Sequence, residues 1–75
     1  MKSKPKSQIA VKIGANIFYY RDKGQISQGK LAEMIKMSPN YIALLERGEK
    51  GASIEVLVAI AKALNCKVAD LVNGL

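Results

Sequence analysis

The sequence predicts an all-α fold, a compact bundle of five short helices, and three observations predict it. Apolar residues recur at helical spacing in five successive stretches. A serine suited to N-capping stands directly ahead of the first four of them. With 49% hydrophobic residues, six glycines and two prolines in 75 residues, the chain has apolar surface enough for one small core and length for a single domain.

Residues 1–7 read as a basic, flexible arm in which Lys2, Lys4 and Lys6 alternate with small residues and Pro5, and the folded domain is expected over residues 8–75. Ser7 can cap the first helix, whose apolar positions are Ile9, Ile13, Ile17 and Tyr20, with Gly24 as a left-handed end. Ser27 caps a second helix of about two turns, in which Leu31, Met34 and Ile35 form the buried stripe before Lys36. Met34 and Met37 read as core fillers.

The best-marked boundary is Ser38-Pro39, a capping hydroxyl followed by a proline suited to the first helical position, where no backbone N–H is needed. A third helix therefore runs from Ser38 to Arg47, and Gly48 ends it with positive φ. After a loop, Ser53 caps a fourth helix carrying Leu57, Ile60, Ala61 and Leu64, with Glu55 near the positive end of its dipole and Asn65 as its stop. Val68, Leu71 and Val72 belong to a last short helix ended by Gly74, and Cys66 reads as a small core residue.

On a wheel of about 100° per residue, the third helix sets Ile42 and Leu45, with Glu46 beside them, toward the core. Its opposite side collects Asn40, Ala43, Leu44 and Arg47, bordered by Tyr41 and Pro39. A short helix, a tight turn at Lys36, Met37 and Ser38, and then a helix held by few apolar residues has the form that fits a DNA major groove. Asparagine can bond both edges of adenine, and arginine can grip guanine or phosphate. Twelve Lys and Arg against six Asp and Glu give a net charge of +6, the balance of a protein that meets a polyanion.

The stretch from Ile26 to Gly48, with Ser27-Gln28, Leu31-Ala32 and Glu46-Arg47-Gly48 in register, resembles the phage repressor and Cro-type helix-turn-helix family. The likeness continues through Ser53 to Leu64 and Val68 to Val72, so it spans residues 13 to 72. It implies a sequence-specific, DNA-binding transcription regulator whose third helix enters the groove. It further implies that Pro39, Asn40, Ala43 and Leu44 approach base edges, while Gln28, Ser38, Tyr41, Arg47 and Lys50 meet phosphates. Arg21 and Glu46 match a pair that joins the first and third helices in the family. Three positions depart from its pattern: Lys36 replaces the usual turn glycine, Pro39 and Leu44 offer apolar contact where polar readers are common, and Lys67 replaces a capping Ser or Thr.

An enzyme is not expected, because the chain has no His, one Cys and no Gly-rich phosphate loop, paired carboxylates or Ser-centred triad. Nothing suggests a metal, cofactor or small-molecule ligand. No apolar run is long enough to span a bilayer, and no secretory leader is apparent, so a cytoplasmic protein without membrane attachment is expected. The expected partners are double-stranded DNA and a second copy of the chain, joined through Val68, Leu71, Val72 and Leu75 into a homodimer. The rival reading is a protein-interaction module on the same fold, supported by Leu44 and Tyr41 on the outward side of the third helix.

Overall fold

The computed structural model describes residues 7–75, so the arm's Lys2, Lys4 and Lys6 lie outside the described residues. Five helices follow in order: α1 (Gln8–Lys23), α2 (Gln28–Met34), α3 (Pro39–Glu46), α4 (Ile54–Leu64) and α5 (Val68–Leu71). Four of them start as the serines dictate. The hydroxyls of Ser7, Ser27, Ser38 and Ser53 accept hydrogen bonds from the N–H groups of Ala10, Lys30, Tyr41 and Val56 at 3.0–3.2 Å. Such a cap contributes about 1 kcal/mol, a large share for helices this short. Ahead of α5, Lys67 provides no such hydroxyl, and the Asp70 carboxylate instead accepts the Lys67 N–H at 2.9 Å.

The first four helices also end alike, on one residue with positive φ followed by two reversed backbone bonds. At the end of α1 these run from Gln25 N–H to Asp22 O and from Ile26 N–H to Arg21 O. The left-handed residue there is Gln25 (φ 57°), not Gly24, which keeps a right-handed conformation at φ −84°. Ending the turn one residue later sets Ile26 against the core and leaves its carbonyl to accept from Arg21 Nη1 at 2.8 Å. Lys36 (φ 61°), Gly48 (φ 73°) and Asn65 (φ 57°) do the same for α2, α3 and α4.

Ile17, Leu31, Ala32, Ile42, Leu45, Leu57, Ile60, Ala61 and Leu71 form the core. Among the described residues, no polar or charged residue is fully buried. The tightest packing is α1 against α3. A Cβ on Gly14 would stand 2.1 Å from the Leu45 carbonyl oxygen, so the two backbones touch where only glycine fits. A Cβ on Gly48, which closes α3, would likewise stand only 2.6 Å from Val11 Cγ2.

Three expectations are corrected here. Met34 and Met37 are 45% and 38% exposed. The buried residues of α2 are Leu31 and Ala32, with Ile35 half-buried at its C-cap, and Ala32 turns the buried side away from Met34. Ile9 is also exposed, because it sits in the first turn of α1, before the stretch on which α3 packs. Leu71, expected on a dimer surface, is 0% exposed and closes the core. Val68 and Val72 are half-buried beside it, and Asn16 ties this end to α1 by donating to Leu71 O and Asn73 O, both at 2.9 Å. No helix among the described residues is long and apolar enough to cross a membrane.

Candidate nucleic-acid interface

The turn between α2 and α3 decides how α3 is presented. Met37 N–H donates to Ala32 O at 2.8 Å and Lys36 N–H to Glu33 O at 3.2 Å, with Lys36 accepting the left-handed conformation usually left to glycine. The chain then extends through Ser38, whose hydroxyl and Pro39 together start α3. Ile42 and Leu45 fix the helix to the core. Ser38, Pro39, Asn40 and Arg47 are exposed, while Tyr41, Ala43 and Leu44 are half-buried at the margin. The wheel thus placed Asn40 and Arg47 correctly, and overstated how far Leu44 and Tyr41 stand out.

Behind this face lies a polar network that fastens α1, α2 and α3 together. Arg21 Nε donates to Glu46 Oε2 at 2.5 Å and Nη2 donates to Oε1 at 3.0 Å, a two-pronged pair whose side chains are 13% and 5% exposed. The bond to Glu46 holds the guanidinium above its already high ordinary pKa. Gln28 Nε2 also donates to Glu46 Oε1, at 2.9 Å. The amide retains a second N–H and its carbonyl oxygen at the first residue of α2, beside backbone donors that favour an anion. Sequence reasoning found the Arg21–Glu46 pair but missed that Glu46 also orients Gln28. Both lie on the inner side of their helices, a relation visible only after folding.

Two further features were missed. Arg47 pairs with Glu49 across Gly48, with Nε to Oε2 at 3.0 Å and Nη2 to Oε1 at 3.4 Å, a contact that the loop sequence does not announce. Gly14 carries the α1–α3 crossing; its signal was a glycine inside a helical pattern, which costs about 1 kcal/mol and calls for a packing reason. Lys50 is exposed in the loop after α3, and among the described residues none forms a hydrogen bond or ion pair with its side chain. Cys66 is half-buried against the core, and burial followed by the nearby Asp70 pushes its thiol pKa up, which keeps it protonated. Among the described residues, no group of His, Cys, Asp or Glu is placed to hold a metal ion.

Known proteins resemble this chain in sequence and in fold. A helix-turn-helix family model matches residues 17–71. The control protein C.SmaI of Serratia marcescens is 35% identical over 61 residues, which are 81% of this chain and 73% of that protein. The clp gene regulator ClgR from C. glutamicum superposes with a TM-score of 0.85 at 33% identity, covering 93% of this chain and 90% of that one. The phage P22 c2 repressor, solved in complex with a synthetic operator, gives a TM-score of 0.77 at 35% identity over 84% of this chain and 96% of its own. On the extent and register of these matches, the chain belongs to the helix-turn-helix family of DNA-binding transcription regulators of the phage-repressor and Cro type.

Proposed function

We propose that this regulator reads its operator by laying α3 in the major groove, with Asn40 as the principal base reader and Pro39, Ala43 and Leu44 beside it. Gln28, Ser38, Tyr41, Arg47 and Lys50 hold the sugar-phosphate backbone on either side. The working unit is a cytoplasmic homodimer on a near-palindromic site. One observation carries the reading: α3 is anchored by Ile42, Leu45 and Glu46 on one side, while the other side exposes Asn40 and Arg47 and bears no carboxylate within the helix. That is the polarity of a surface that meets base edges and phosphates at once. Operator binding by the P22 c2 repressor supports it by analogy.

The test is selection of bound sequences from a random duplex pool, followed by affinity measurements at two salt concentrations. The expected result is an enriched near-palindrome, with affinity falling steeply as salt rises. A pool without enrichment, together with salt-insensitive affinity, would overturn the proposal and favour a protein-interaction module.

A further inference from the structure

Arg47 and Glu49 stand on either side of Gly48, and the turn that closes α3 brings their side chains together. Gly48 N–H donates to Leu45 O at 3.1 Å and Glu49 N–H to Leu44 O at 2.9 Å, so the backbone direction at Glu49 is set by the helix end itself. The carboxylate takes the Nε and Nη2 edge of the guanidinium, at 3.0 and 3.4 Å. That edge is one with which arginine grips a phosphate through two parallel bonds. The pair is open to water, with side chains 52% and 39% exposed, so a competing anion can displace the carboxylate.

The contrast with Glu46 is informative. The Glu46 side chain is only 5% exposed and takes one N–H of Gln28 while leaving the other available, so its hold is compatible with a phosphate contact. Glu49 is exposed and takes the gripping edge of Arg47, so its hold on that edge excludes a phosphate there.

Resting on the reading of α3 as the helix that enters the groove, the geometry points to Glu49 as the residue that sets DNA affinity, an intramolecular rival of the phosphate for Arg47. When Arg47 turns to the backbone it exchanges one anionic partner, the Glu49 carboxylate, for another, so the exchange releases fewer counterions than an uncommitted arginine does. Phosphate contacts carry no sequence information, so the competition weakens binding to every duplex. A chain of net charge +6 is thereby kept from being held too firmly on random DNA.

The experiment measures binding of the full chain to random duplex between about 50 and 200 mM salt, for the wild type, Glu49→Gln, Arg47→Ala and the double variant. Glu49→Gln is expected to bind about two- to fivefold tighter at low salt, the range set by an exposed pair. Its plot of log affinity against log salt steepens by up to about one unit. In the Arg47→Ala background the same change has a smaller effect. Glu33→Gln, which removes an equal charge from an exposed carboxylate 3.8 Å from Lys30, reproduces neither the gain nor the steeper slope. Three results overturn the proposal: equal or weaker binding by Glu49→Gln, a gain undiminished without Arg47, or an equal gain from Glu33→Gln. If the wild type binds steeply with salt and Glu49→Gln does not differ from it, only the competition fails. If wild-type binding ignores salt, the groove reading fails with it.

Discussion

Asn40 stands in the first turn of α3, exposed, with its amide directed by a helix start that Ser38 and Pro39 fix. On that placement, Asn40→Ala lowers affinity for the selected operator by about 1–3 kcal/mol and relaxes preference at one base position, while random duplex is bound as before. Equal losses on both DNAs would assign Asn40 to the backbone or the fold. Gln28→Ala gives the complementary pattern, weakening binding to all sequences with an unchanged salt slope because the lost side chain is neutral. At Gly14 the expected effect is on stability. An added Cβ meets the Leu45 carbonyl oxygen, a backbone atom with no room to give, so Gly14→Ala drives α1 off α3 at a cost of about 1–3 kcal/mol or more. A denaturation midpoint that does not move would show that the crossing adapts.

Arg21, Glu46 and Gln28 join α1, α2 and α3 into one unit, so the presentation of the recognition helix depends on a pair that packing alone does not supply. Replacing either Arg21 or Glu46 with Ala leaves a partly buried charge alone and costs roughly 3–5 kcal/mol, less where water reaches it. A double-mutant cycle with no coupling would show two independent charges. Helix ends offer a second test at this scale. Gln25 holds a left-handed conformation that costs about 1–2 kcal/mol for a side chain, so Gln25→Gly stabilises the fold by about 0.5–1 kcal/mol after the added chain entropy. Gly24→Ala also stabilises, because Gly24 is right-handed and an added Cβ comes no nearer than 3.4 Å to any atom, whereas a left-handed Gly24 would predict a loss. These positions show what was legible in the sequence. Every serine cap was, since capping is local and leaves its signature within three residues. The true left-handed residue of α1, the exposure of Met34 and the Gly14 crossing were not, because each depends on how one helix lies on another. In the site, residue types facing outward could be read from the wheel, while the bonds of Gln28 to Glu46 and Arg47 to Glu49 needed the fold.

A molecule of 38 × 25 × 21 Å with a single recognition helix of eight residues touches too few base pairs to find one site among a genome of competitors. Two copies related by a two-fold axis double the reading, provided their α3 helices lie about 34–36 Å apart to meet successive major grooves. Bodies of these dimensions packed side by side can meet that spacing. The sequence of one chain carries little of this, because residues that serve a partner and residues that serve the core look alike. Leu71 reads from the sequence as a partner-facing residue and belongs to the core. With Leu71 committed inside, the surface left near α5 is the outer part of Val68 and Val72 together with Leu75, which is 62% exposed. Leu75→Asp is therefore expected to lower the dimer fraction in sedimentation while the monomer stays folded, since little of that side chain supports the core. The wild type should be dimeric at tens of micromolar, roughly ten times above a weak dimer constant, and should protect two half-sites one helical turn apart. A chain that stays monomeric at that concentration and protects a single asymmetric half-site would refute the dimer. A chain that is dimeric whether or not residue 75 is charged would place the interface elsewhere, with the exposed Ile54 and Val58 of α4, four residues apart on one helix face, as the next surface to test.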